Sequence, residues 1–138
     1  MKERRAAVPG DAAQLPVLTQ FLREFWSEAQ LAPAQALTFE LALEEIFMNI
    51  VMHGAQPGMQ PSVEVSLSLA ADTLTMTVED NCRQFDPLSL APPDLTASLA
   101  ERPIGGLGVS LVRQMMDAIS YQRIGARNRL SMAKHLAG

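Results

Sequence analysis

Ser62-Val63-Glu64-Val65-Ser66-Leu67-Ser68-Leu69-Ala70-Ala71-Asp72-Thr73-Leu74-Thr75-Met76-Thr77-Val78-Glu79-Asp80 holds two alternating runs with a break at Ala71-Asp72. Successive side chains of a strand point to opposite faces, so Val63, Val65, Leu67 and Leu69 share one side, as do Leu74, Met76 and Val78. Serines, threonines and glutamates take the other side. Two such runs joined by a tight break predict a β-hairpin with one face to be covered and one face wet, the habit of antiparallel sheets.

The rest of the chain supplies the cover. Asp11 suits the N-cap of a helix whose Leu15, Leu18, Phe21, Leu22, Phe25 and Trp26 recur at spacings of three and four, with a stop near Gln30. Pro33 suits the first turn of a second, longer helix running to about His53, ended by Gly54 and the Gln56-Pro57-Gly58 turn. Between Asp86 and Pro103 four prolines and little apolar periodicity predict a long lid-like loop, with a short helical turn around Leu95 to Ala100. Gly105-Gly106-Leu107-Gly108 opens a third helix, Val109 to Asp117, with Val109, Val112, Met115 and Met116 inward. Strands from Ala118 to Ile124 and from Arg129 to Leu136 flank a Gly125-Ala126-Arg127-Asn128 turn. The expected fold is an α+β two-layer sandwich, an antiparallel or mixed sheet with helices on one face, formed by residues 1–138 as a single domain.

Composition narrows the functions. The 138 residues are 48% hydrophobic, enough for a core, and the formal charge of −4 offers no general attraction to nucleic acid or to anionic membranes. The start lacks the apolar run of a signal peptide, and the most apolar stretch, Ile46 to Met52, is far short of the ~20 residues a spanning helix needs. With a single cysteine, Cys82, no intrachain disulfide is possible, and a cytoplasmic location is expected. Charge is uneven: Phe39 to Asp94 carries nine acidic residues against Arg83 alone, whereas from Glu101 onward bases predominate. Solvated surface accounts for most of these. A fold bringing the two regions together would suit a cation and an anion held side by side.

Three places carry candidate chemistry. On the second helix, at about 100° per residue, Leu43, Ile46, Phe47, Ile50 and Val51 share a face, and Glu45 and Asn49 fall nearly opposite, flanked by Leu41, Met48 and Met52. A carboxylate and a carboxamide on such a half-apolar surface are costly to dehydrate without a partner. Asp80 continues the inward register of Leu74, Met76 and Val78, where the amine of a flat apolar ring would supply its donor; a solvated turn aspartate is the other reading. Gly105, Gly106 and Gly108 precede a helix whose free N–H groups can receive phosphate, although a lid hinge explains glycines equally well. His53 and His135 have no partners at zinc-ligand spacing, and Cys82 has no histidine partner for nucleophilic work.

Taken in order, Glu45-Ile46-Phe47-Met48-Asn49-Ile50-Val51-Met52-His53-Gly54, Val78-Glu79-Asp80 with Phe85-Asp86-Pro87, and Gly105-Gly106-Leu107-Gly108 resemble the N, G1 and G2 boxes of the GHKL superfamily, in its anti-sigma-factor serine/threonine kinase branch. The resemblance spans nearly the whole chain and implies the Bergerat-type ATP-binding fold. It implies Glu45 as general base toward the acceptor hydroxyl, Asn49 as ligand of Mg²⁺ bridging the phosphates, and Asp80 as partner of the adenine amino group. Phe85, Ile104, Gly105, Gly106, Leu107, Gly108 and Val109 complete the implied nucleotide site. Where the family usually has glycine two residues after the G1 aspartate, this chain has Cys82, and a side chain there is expected to crowd the base or reshape the pocket.

The expected function is therefore an ATP-dependent serine/threonine protein kinase and anti-sigma regulatory factor. It would phosphorylate a small antagonist (anti-anti-sigma) protein, sequester a sigma factor or other regulator, and act as a homodimer in the cytoplasm, with no direct contact to nucleic acid or membrane. Cys82 favours the alternative, a catalytically inactive nucleotide-binding or partner-binding regulatory module.

Overall fold

The hairpin lies at the centre of the sheet. A computed structural model of the chain describes residues 2–54, 56–89 and 106–136, with only the backbone of 106–108. Five strands, β1 (Lys2–Pro9), β2 (Ser62–Ala70), β3 (Thr73–Asp80), β4 (Ala118–Ile124) and β5 (Arg127–His135), run in the order β1-β2-β3-β5-β4. Every neighbouring pair is antiparallel. Three helices, α1 (Leu15–Glu28), α2 (Pro33–His53) and α3 (Gly106–Met115), complete the two layers. The loop expected between Asp86 and Pro103 is described only as far as Ser89, where Pro87–Ser89 make one 3-10 turn; the turn expected around Leu95 to Ala100 lies outside the described residues.

Alternation does what the sequence requires. Val63, Val65, Leu67, Leu74, Met76 and Val78 are fully or almost fully buried, joined in one core by Leu130 and Met132 of β5 and by the helices. The opposite face carries serines and threonines, among them the Thr77–Ser131 hydroxyl pair at 3.3 Å. It also carries Glu79, whose carboxylate meets Arg129 and, at 3.3 Å, Arg127. Burial pushes the Glu79 pKa up, but Arg129 and then Arg127 outweigh it and hold the group below its ordinary value. Ala71, at the hairpin turn, takes a φ of 53°, an uncommon conformation for a residue with a Cβ.

Asp11 caps the 3-10 turn Ala12–Gln14 that leads into α1, its Oδ1 accepting from the Ala13 N–H at 3.1 Å, and not α1 itself, whose first turn has no side-chain cap; α1 ends at Glu28, just before Gln30 at φ 57°. Leu18, Leu22, Phe25 and Trp26 are its buried residues. The Trp26 ring lies 5.5 Å from that of Phe39, and its indole N–H donates to the Ala32 carbonyl at 2.9 Å, fastening α1 to the start of α2. Helix α2 contacts both α1 and α3 as well as β3. It is therefore buried around much of its girth: Ala36, Phe39, Ala42, Leu43, Ile46, Phe47 and Asn49.

Two boundaries differ from expectation, and one strand was not anticipated. α3 begins at Gly106 instead of Val109 and ends at Met115, so Gly106 and Gly108 belong to its first turn. β5 begins at Arg127, leaving Gly125-Ala126 as the turn, with Gly125 at φ 59°. β1 escaped notice because Lys2-Glu3-Arg4-Arg5 looks like a solvated tail. An edge strand needs little burial and gains from charge that discourages further pairing, and only Val8 of β1 is fully buried. The centre of the core is the place where truncation is felt most. Phe39→Ala is expected to lower stability by about 3–5 kcal/mol, read from the urea midpoint with an unchanged slope.

Candidate functional site

Register sets the floor of the site. Val63, Asp80, Asn128 and Arg123 are successive cross-strand partners, a row at one end of the sheet across β2, β3, β5 and β4. The next row is Val65, Val78, Leu130 and Tyr121. Because Asp80 shares parity with Leu74, Met76 and Val78, its carboxylate is carried to the covered side, where it is 5% exposed. Buried there it must find donors. The Cys82 N–H and the Asn128 Nδ2 both donate to Oδ1 at 2.9 Å.

Above this floor lies a cleft. Ile46, Asn49 and Ile50 of α2, with Gly54 just past its end, form one wall, and Val78, Asp80, Tyr121, Asn128 and Leu130 come from the strands. Cys82, Arg83, Phe85 and Pro87, from the segment after β3, form its rim. The lining is mainly apolar with a few convergent polar groups, the character of a small-molecule site.

The rim is fastened on every side. Asn81 accepts from the Ser62 N–H at 2.8 Å and donates to the Gln60 carbonyl at 3.1 Å. Arg83 donates to the His53 carbonyl at 2.7 Å, closing the end of α2, and Arg123 donates to the Cys82 carbonyl at 2.9 Å. The Phe85 ring stacks on His53 at 5.4 Å between centroids. Tyr121 reaches Asn128, and burial pushes its phenol pKa upward.

Asn49 departs from the helical-wheel expectation. It is 5% exposed, beside Ile46 and Ala42 instead of across from the apolar face, because α1, α3 and the sheet leave α2 only a narrow outward stripe. Its Nδ2 has no hydrogen-bond partner among the described residues, a state that costs about 1–3 kcal/mol in a buried group. An acceptor, or a cation with the amide turned over, would complete it. Glu45, one turn earlier, is half-buried and not among the residues lining the cleft; exposed Leu41 and Met52 lie near it on the outward stripe.

The structure thus gathers Asn49, Asp80 and Phe85 in one cleft. Val109 is buried but does not line it, and Gly106, Leu107 and Gly108 form the first turn of α3. Ile104 and Gly105 lie outside the described residues. Asn128, Tyr121 and Arg123 carry no local signal in the sequence, because their place at the cleft depends on the pairing of β3 with β5 and of β5 with β4, the former joining strands distant in sequence.

Cys82 is 2% exposed, and its thiol pKa is pushed up to about 11, first by burial and then by Asp80, with Arg123 opposing. Its side chain rests against Gly54. A Cβ added there would stand 2.8 Å from both Cβ and Sγ of Cys82 and 2.7 Å from the Ile50 carbonyl oxygen. The crowding expected from Cys82 is thus taken up in part by the missing side chain of Gly54 at the C-cap of α2, and Asp80 and Asn49 still line the cleft.

Comparison with known proteins fits this geometry. The family model for the histidine kinase-like ATPase domain matches residues 8–134. The serine/threonine-protein kinase BtrW of Bordetella bronchiseptica is 34% identical over 116 residues, 84% of this chain and 78% of that protein. An anti-sigma F factor of Clostridium perfringens is 28% identical over 111 residues, covering 78% of this chain and 79% of its own. Among solved structures, the RsbU and RsbW domains of a Mycobacterium tuberculosis protein superimpose with a TM-score of 0.71 at 13% identity, a likeness of fold alone. That match covers 99% of this chain and 33% of the other.

Two outcomes are expected of the thiol and its neighbour. A thiol pKa raised on folding favours the native state fully below the unfolded value near 9.0 and loses that contribution as pH rises toward about 11. Urea titrations should therefore show a decline across that window that is shallower in Cys82→Ser. Gly54→Ala should lower the melting temperature, and adding Cys82→Gly should recover part of the loss, the remainder reflecting the contact with Ile50.

Proposed function

The chain belongs to the histidine kinase-like ATPase family, and from that premise we propose that it is an ATP-dependent serine/threonine protein kinase of the anti-sigma type. Its acceptor is a small antagonist protein, and its other partner is a sigma factor or a similar regulator. The observation that carries this reading is the pairing, in one cleft, of a buried carboxylate, Asp80, with a buried carboxamide, Asn49, whose donor has no partner among the described residues. A purine fits such a place: its amino group donates to the carboxylate, its faces lie on apolar walls that include Ile46, Ile50 and Val78, and its polyphosphate runs toward Asn49.

Each residue then has a task. Asp80 selects the base. The first turn of α3, with Gly106 and Gly108, offers backbone N–H groups to phosphate oxygens, and Ile104, Gly105, Leu107 and Val109 belong to that contact segment. Mg²⁺ when bound would neutralise phosphate charge, with Asn49 as its protein ligand. Among the described residues no three His, Cys, Asp or Glu side chains converge, so the polyphosphate and water would supply most of its ligands, a common arrangement for this ion. Glu45 accepts the proton of the acceptor hydroxyl as that oxygen bonds to the γ-phosphorus and the bond to the β-phosphate oxygen breaks, releasing ADP. Its place outside the base cleft, beside exposed Leu41 and Met52, supports delivery of the hydroxyl by a protein.

Among the described residues no helix is long and apolar enough to cross a membrane. We place the chain in the cytoplasm as a single domain and a homodimer, on the strength of the family resemblance. The contact between Cys82 and Gly54 supports nucleotide binding over the inactive alternative, because the side chain at position 82 has its own space.

Transfer of labelled γ-phosphate to a candidate antagonist tests the assignment. Glu45→Gln should lower transfer at least ~100-fold while leaving ATP affinity within about twofold, as for loss of a general base. Asp80→Asn should weaken ATP at least ~tenfold, as for a hydrogen bond to a charged group. Transfer undiminished in Glu45→Gln would remove the assigned base.

A further inference from the structure

We propose that Asn128 is the positioning residue for base recognition: it fixes the Asp80 carboxylate so that one oxygen is committed to the protein and the other meets the amino group of the purine. This rests on the nucleotide reading above and adds to it a residue absent from all three sequence boxes. Asn128 is 6% exposed and makes five hydrogen bonds. Its Nδ2 donates to Asp80 Oδ1 at 2.9 Å and to the Arg83 carbonyl at 2.8 Å. Its Oδ1 accepts from the Tyr121 hydroxyl, from Arg123 Nη1 at 3.1 Å and from the Phe85 N–H at 3.3 Å.

Chemistry fixes the orientation of this amide. A carbonyl and an ionised carboxylate only accept, and a guanidinium and a backbone N–H only donate, so turning the amide over would set like against like at four contacts. No other uncharged side chain of this length provides two donors on one arm and an acceptor for three donors on the other. Aspartate would have the shape but would turn a carboxylate toward Asp80 and the Arg83 carbonyl.

The consequence reaches the ligand through Asp80. Both hydrogen bonds of N–H donors to Asp80 among the described residues, from Asn128 Nδ2 and the Cys82 N–H, fall on Oδ1; the Cys82 thiol is a further close neighbour of the carboxylate, and Oδ2 is the oxygen left to face the base. The same Asn128 holds Arg83 and Phe85 of the rim, so the carboxylate and the edge of the cleft keep one mutual spacing. Without the amide, the carboxylate keeps only the donors of Cys82 and is free to rotate toward water or Arg123.

A merely structural buried amide would affect every nucleotide alike, whereas a positioning residue controls discrimination at the amino group. The test is titration of the full chain with ATP and with inosine triphosphate, which carries a carbonyl in place of that amine. Wild type is expected to prefer ATP at least ~tenfold, the scale of a hydrogen bond to a charged partner. In Asn128→Ala the preference should collapse toward unity, through weaker ATP binding with inosine triphosphate little changed. Tyr121→Phe removes a single donor to Oδ1 at a half-buried position and should narrow the preference about two- to threefold, a partial loss of one hydrogen bond.

A preference kept in Asn128→Ala, with both nucleotides weakened equally or neither, overturns the proposal and leaves the kinase reading standing. If Asn128→Ala does not fold, an undiminished preference in Tyr121→Phe overturns it. Wild type that binds neither nucleotide overturns the kinase reading and this inference with it.

Discussion

One buried carboxylate governs the architecture of the site. Removing Asp80 from water is tolerable only because an amide and a backbone N–H replace the lost hydration, and each arrives by a different route. The N–H belongs to Cys82, two residues on, as the chain turns out of β3. The amide belongs to Asn128, forty-eight residues away, and reaches Asp80 because β5 pairs with β3 in a register that sets the two opposite each other. A shift of β5 by one residue would turn Asn128 to the wet face and leave the carboxylate short of a donor. The order β1-β2-β3-β5-β4 is thus a condition for the site.

The same interaction explains what was legible in the sequence. Periods of two and of about 3.6 are local properties, so β2, β3, the buried faces of α1 and α2, and the inward aim of Asp80 follow from them. The family boxes are local too, and they named Asn49, Asp80 and Phe85, which the fold brings into one cleft. Three other features were not local. β1 is held by its pairing with β2 and not by an apolar pattern of its own. Asn128 lay in what looked like a turn, where asparagine is an ordinary residue with no distinguishing period. Asn49 was placed on the wrong side of a wheel because a helix packed against two others and a sheet has no single apolar face.

Cys82 shows how a departure from a pattern is read through its surroundings. In sequence it stands where a side chain is unwelcome, and that counted against nucleotide binding. In the fold its neighbour is Gly54, which ends α2 and carries nothing where a methyl would collide with the thiol. The two positions are twenty-eight residues apart, so the compensation was invisible from either alone. Burial and the nearby Asp80 also keep the thiol protonated at neutral pH, which makes it a small apolar filler of the cleft wall.

The two ends of the cleft are built differently, and that difference is an argument about how it works. At the base end the polar side chains are tied to the protein: Asp80 Oδ1 to Asn128 and the Cys82 N–H, Asn128 and Arg123 to each other and to the rim, and Asn81 to the Ser62 N–H. A site satisfied in this way keeps its shape before the ligand arrives, so little ordering cost falls on binding and the geometry can discriminate one base from another. Asn49, by contrast, is buried with a donor that has no partner among the described residues, an energetic deficit that a phosphate oxygen or a cation would remove. Binding energy gained there is largest when the polyphosphate is in place, beside the helix turn that carries Glu45. A kinase needs both kinds of end: rigid where it identifies its substrate, and incomplete where the reacting group is to be gripped.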